Sequence, residues 1–174
     1  MFSMYIAIIV VCFVVGPVVS IIIERSVKRD DPRTRDLLAM VLRWFTFWIV
    51  GVRLFTAGGV QAIRPEFTAD QIFGTTDPTV FPFISELGYA NLGFGVIGIL
   101  SLFLRSWTVP AALAGIVFLG LDGFRHALAG GAFTSDRAIA MISDLVALVV
   151  LGGCLIALAV RARKKTESAV GDLA

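Results

Sequence analysis

Asp122, Arg125 and His126 all fall within one apolar run, Val109–Ala129, and Arg53 and Asp144 interrupt two further apolar runs in the same way. A charge at the centre of a bilayer costs roughly 2.5–3.5 kcal/mol on insertion scales. Such groups persist where they pair with one another or line a watered cavity. On a helix Asp122 reaches Arg125 at i+3 or His126 at i+4, while Arg53 can pair with Asp144 or Glu86 across a bundle. Arg53 would then offer a donor to an anion or carbonyl, with Asp122, His126 and Asp144 to orient it. Alternatively, His126 and Asp144 could relay protons, or the charges could be buried pairs that fix helix register. The candidate cluster is Arg53, Glu86, Asn91, Asp122, Arg125, His126 and Asp144, and no residue in it can be assigned a catalytic role.

The rest of the chain must be read as what holds these residues in lipid. It has 174 residues, 57% of them hydrophobic, and a mean hydropathy of +0.89, well above a soluble domain. A net charge of +2 gives no reason to expect nucleic-acid binding. Cys12 and Cys154 each lie inside an apolar run without C-x-x-C or metal-ligand spacing, so both are expected as buried packing residues. No metal and no cofactor is expected.

Five runs are long enough for a hydrocarbon core of about 30 Å. They cover about 3–23, 37–57, 87–104, 109–129 and 138–160, with an outer loop at 58–86. This predicts an all-α integral membrane protein forming one domain over 1–160, followed by a basic, disordered cytoplasmic tail at 161–174. Spans two to five form a four-helix bundle and span one is peripheral. Alternating the sides puts Arg25, Lys28, Arg29, Arg33, Arg35, Arg105, Arg161, Arg163, Lys164 and Lys165 on one face, and only Arg64 and Arg137 on the other. Positive charge collects on the cytoplasmic side. The expected topology is therefore N-terminus outside and C-terminus inside, in a bacterial cytoplasmic membrane.

Small-residue stripes predict which faces look inward, because close helix packing in lipid favours them. Span two presents Thr46, Arg53 and Ala57, and span three Gly88, Asn91, Gly95 and Gly98. Span four presents Ala111, Gly115, Asp122 and His126, and span five Ala140, Asp144, Ala147 and Cys154. Each stripe carries a polar group, roughly 6–11 Å below the outer helix ends for Arg53, Asp122 and Asp144. In the outer loop, Thr68-Ala-Asp-Gln71 fits a capping box. The aromatic residues around it favour an interfacial anchor over a lid. Arg43 beside Trp44 and Trp48 is expected to snorkel at the inner interface.

Other motifs fail on context. Gly93-Phe-Gly95-Val-Ile-Gly98 matches a dinucleotide fingerprint in letters but follows no strand, so helix packing is the better account. A single histidine rules out bis-histidine haem ligation.

Arg53-Leu-Phe-Thr-Ala-Gly-Gly59, the polar segment Glu86–Asn91 and the charged outer end of span four resemble the DoxX-like membrane proteins. They more closely resemble a related group of bacterial membrane proteins, over about residues 38–160. The resemblance implies a four-helix membrane bundle and, in some members, quinone-linked sulfur oxidation. The expected function is non-catalytic binding of a small apolar or anionic molecule or a lipid, quinone-like or a headgroup, with membrane lipids as surroundings. The alternatives are an accessory subunit of a larger membrane assembly and a quinone-linked redox component.

Overall fold

A computed structural model describes residues 2–28, 31, 36–128 and 135–171. Arg29, Arg33 and Arg35 of the basic connection, Ala129 and the segment 130–134 lie outside the described residues. Five helices among the described residues are long and apolar enough to cross a membrane, and they make this a multi-pass membrane protein. They are α1 (Ile6–Val27), α2 (Leu37–Ile63), α4 (Pro78–Phe103), α5 (Arg105–Leu128) and α6 (Arg137–Ala169). A short α3 (Pro65–Thr68) with a π turn (Ala69–Phe73) joins α2 to α4. The α3 connection lies at one end of the bundle, and Lys28, Asp36 and Arg161 lie at the other, basic end.

Glycine decides how closely α2 and α4 approach. A Cβ on Gly95 would meet the backbone nitrogen of Phe55 at 2.6 Å, and Gly98 lies directly against the backbone of Gly51. Lipid tails are as apolar as the helices, so hydrophobic sorting cannot drive this contact; close packing must. The stripe Gly88, Asn91, Gly95 and Gly98 is buried throughout, whereas Gly93 faces open space. Beside this pair, α5 packs on α6, and Ile49, Val50, Ala112, Leu119, Ala147 and Leu151 close the centre of the bundle. The first helix lies outside these four and faces lipid along most of its length, but its π turn (Val11–Val15) buries Cys12 and Phe13 against α2.

Several boundaries differ from expectation. Span two continues past residue 57 to Ile63, because Gly58 packs on the carbonyl of Gly88 instead of ending the helix. Span three begins near Pro78 instead of Leu87: Pro82 falls in a helical first turn, where its missing N–H costs nothing, and Asp77 caps Thr79 (2.9 Å). The expected outer loop 58–86 therefore shrinks to the α3 connection. Span one runs to Val27 because Glu24, which looked like a helix end, is buried in an ion pair with Arg43. Arg43 accordingly does not snorkel; it is 8% exposed. The tail expected to be disordered is helical: the α6 span belongs to one continuous 37-residue helix, Ser135–Gly171, supported by Arg163–Glu167 (2.8 Å) one turn apart.

At the basic end Asp36 accepts the backbone N–H of Ala39 (3.2 Å), capping α2, and also pairs with Arg161 of α6. The Arg161 guanidinium holds the Asp36 carboxyl below its usual range.

Gly95→Ala is expected to lower the melting temperature in detergent, at a cost of about 1–3 kcal/mol for forcing two backbones apart. Gly93→Ala should leave it unchanged or slightly raised. Equal melting of the two variants would show that the α2–α4 contact is not glycine-limited.

Candidate functional site

Arg53 ends the π turn of α2 (Thr46–Arg53), a local widening that carries its side chain into the bundle. There its Nη2 donates to Asp144 Oδ1 (2.6 Å) and to Ser143 Oγ (3.1 Å), both on α6. The guanidinium also stacks over Phe13 of α1, 5.6 Å from the ring centre. Asp144 is 1% exposed and Arg53 9%, so this is a buried, charge-assisted pair bridging α2 and α6. Of the two carboxylates open to Arg53, the structure selects Asp144. Glu86 is exposed on α4 and is not part of the cluster.

Beside this pair, α5 supplies the second group, with Gly123 packed on Asp144. Asp122 Oδ1 accepts from Arg125 Nε (3.1 Å) at i+3, and its Oδ2 lies 3.4 Å from His126 Nε2 at i+4. Both intrahelical pairings expected from spacing occur together. His126 is buried, whereas Asp122 and Arg125 are partly open. Arg125 also covers the ring of Phe73 on the π turn after α3 (5.3 Å). Ligand atoms of Asp122, His126 and Asp144 lie within 4.8 Å of one another, close enough for a metal ion by distance alone. However, Arg53 and Arg125 already neutralise the two carboxylates. The arrangement is that of a balanced hydrogen-bonded network, in which a divalent cation would bring uncompensated charge into low dielectric.

These groups meet in a cavity of about 230 Å³, walled also by Asn91, Phe118 and Leu119. Asn91 is 4% exposed and donates from Nδ2 to Gln61 Oε1 (2.7 Å), while its Oδ1 is buried without a hydrogen-bond partner. Phe67, Thr68, Gln71, Ile72 and Phe73 form the roof. The segment favoured as an interfacial anchor thus covers the cavity. Its capping box does not form either: the helix starts at Pro65, and Thr68 is buried inside it.

A groove of about 620 Å³ runs along α4 and α5 on the lipid-facing side and shares Phe118, Asp122 and Arg125 with the cavity. The cavity therefore has a lateral neighbour lined almost wholly by apolar side chains.

Three partners do not stand out in the sequence: Gln61, in a segment that reads as loop, Ser143, overshadowed by Asp144, and Arg137. Arg137 is 8% exposed and donates to the carbonyl of His126 (3.0 Å), satisfying an acceptor that the end of α5 leaves open. Its signal was available, since Arg64 and Arg137 are the only basic residues in the connections on that side.

Fold and site together define a five-span helical membrane protein built around a buried polar cluster. The chain belongs to the family of unknown function DUF6790, which it matches over residues 3–168. That match provides no link to the DoxX-like proteins, and no curated protein or solved structure matches the chain.

Removing one partner of a buried pair strands a charge that arginine cannot shed. Arg53→Ala and Asp144→Ala should each cost about 3–5 kcal/mol, and the double variant markedly less than their sum. Thermal melts of the four proteins supply the cycle. Strict additivity would remove the pair as a determinant of stability.

Proposed function

We propose that this protein binds a small amphiphile from the bilayer without transforming it, with the polar head in the cavity and the apolar portion along the α4–α5 groove. The observation that carries this is the adjacency of the two spaces, which share Phe118, Asp122 and Arg125 as lining. A cavity of 230 Å³ is smaller than ligand pockets of about 300–1,000 Å³, so it suits a headgroup or a single quinone-like ring. The charges inside cancel in pairs, which favours an uncharged head. The buried Oδ1 of Asn91 favours one that donates a hydrogen bond, such as a hydroxyl, because a buried acceptor left alone costs about 1–3 kcal/mol.

Purification in a mild detergent, followed by mass spectrometry of extracted small molecules, tests this reading. A stoichiometric amphiphile is expected with the wild type. Retention should fall about tenfold in Asp122→Asn and His126→Gln, each of which removes a charged or charge-assisted contact. Melting temperature should change little in Asp122→Asn, because Asp122 is open enough for water to replace the contact. Absence of any such molecule, together with strongly lowered melting in both variants, would mean that the network serves packing. A stoichiometric protein in its place would favour an accessory subunit, which the sparse 11% burial of the apolar window of α6 also suits.

We further propose a bacterial cytoplasmic membrane with the α3 end outside. The support is the basic asymmetry of ten residues against two. A membrane-impermeant thiol reagent applied to intact cells should label Thr76→Cys and spare Thr166→Cys. The reverse pattern would invert the topology.

A further inference from the structure

Arg125 lines both the cavity and the α4–α5 groove. Its side chain is 49% exposed, its Nε donates to Asp122, and its Nη2 lies 3.5 Å from His126 Nε2. The remaining donors of this guanidinium have no acceptor among the described residues. His126 Nε2 therefore has two neighbours of opposite demand. Asp122 Oδ2, 3.4 Å away, only accepts, and Arg125 Nη2 only donates. A neutral imidazole with its lone pair on Nε2 serves Arg125. An imidazolium serves Asp122 and releases Arg125. The charges facing the ring are Asp122 and Arg125 on α5, Asp144 on α6 and, beyond it, Arg53 on α2, and these four cancel. Arg137 of α6 is turned to the His126 carbonyl and does not line the cavity, and on the roof segment Glu66 and Asp70 are exposed outside the lining. Protonating His126 thus adds one positive charge, which one carboxylate matches.

Resting on the amphiphile reading above, we propose that the ligand is a long-chain carboxylic acid and that His126 receives its proton. The acid arrives from the bilayer uncharged, with its chain along Leu113, Val117 and Leu121 in the groove. The carboxyl O–H bond breaks, the proton passes through Asp122 Oδ2, the open carboxylate beside the ring, and an N–H bond forms on His126 Nε2. The imidazolium then donates to Asp122. Arg125 Nη2, released from the ring, turns with the free donors of its guanidinium to the new carboxylate, the geometry in which arginine binds that group best. Entry of a neutral acid changes no net charge in the low-dielectric site, and on release the proton returns to the carboxylate. A hydroxyl head engages neither the free donors of Arg125 nor the imidazole as a base, and an ester brings no proton.

The test is equilibrium binding of decanoic acid, decanol and methyl decanoate to the full-length protein in detergent, across roughly pH 6–9, at and above the ordinary imidazole titration. There the free acid is the anion and must bring a proton with it, so its affinity is expected to fall about tenfold per pH unit, the slope of one proton. Decanol should show no such slope. His126→Gln should flatten the decanoate profile. Partition into detergent changes with pH alike for every variant, so the difference between wild type and His126→Gln carries the result. Arg125→Gln alters a half-exposed side chain and should lower the preference for acid over ester about tenfold, the loss of one charge-assisted bond; it decides if His126→Gln does not fold. A level decanoate profile in wild type, an equally steep one in His126→Gln, or an unchanged preference in Arg125→Gln overturns the proposal. If decanol still binds in that case, the amphiphile reading stands without it, whereas failure of all three probes to bind overturns both. Displacement of decanoate by an equal concentration of acetate would mark a site for free carboxylates and overturn it as well.

Discussion

An arginine in the middle of a membrane span must be answered by something, and here the answer is Asp144. Guanidinium cannot escape burial by losing its proton, so the bundle must bring an acceptor to it. Asp144 and Ser143 do so from α6, while Phe13 covers the guanidinium face from α1. Three helices are thereby fixed in rotation and depth by one side chain. A slip of α6 by a single residue would turn Asp144 about 100° away and leave two opposite charges in hydrocarbon. The π turn ending at Arg53 belongs to the same constraint, because such turns widen a helix locally and often mark functional positions.

Once that pair is set, the other polar groups follow from where the helices can approach. Glycines let α2 and α4 touch backbone to backbone at Gly51–Gly98 and Phe55–Gly95, which brings Gln61 and Asn91 within hydrogen-bonding distance near the α3 end. On the far side α5 has no comparable need to close on α4. The larger side chains Phe94 and Phe118 meet there with ring centres 5.2 Å apart and leave the groove. Tight packing on one flank and loose packing on the other place the polar cavity next to lipid instead of sealing it.

Much of this was legible in the sequence because lipid permits few alternatives. Intramembrane charges are costly enough that their presence predicts pairing, and Asp122, Arg125 and His126 on one helix could meet only as they do. The stripe of Gly88, Asn91, Gly95 and Gly98 likewise pointed inward by period alone. What failed were inferences from local punctuation. Pro78, Pro82 and Gly58 suggest a loop by habit, yet proline fits a helical first turn and glycine survives inside a helix where a neighbouring backbone needs the space. Choosing between Asp144 and Glu86 required the relative depth of α4 and α6, which no spacing within one helix contains. The burial of Arg43 is not legible locally, because its partner Glu24 lies on another helix, at the end of an apolar run where a charge ordinarily marks the exit from lipid.

The two buried arginines of α2 show how one residue type serves different ends. Arg53 and Arg43 lie ten residues apart on the same helix, each held by a carboxylate from a neighbouring helix, Asp144 on α6 and Glu24 on α1. Together they anchor α2 to α6 within the span and to α1 near the basic end. The surroundings then diverge. Arg53 sits in a set of charges that cancel, beneath a roof of aromatic and small polar side chains, where an uncharged group meets the least electrostatic resistance. Arg43 is held near the basic end by Glu24, which also accepts from Trp44, so its pair is closed by an indole and carries no net charge. The same fold thus places two arginine–carboxylate pairs in different surroundings along one helix. The difference arises from the company each guanidinium keeps, because the arginine–carboxylate bond is common to both.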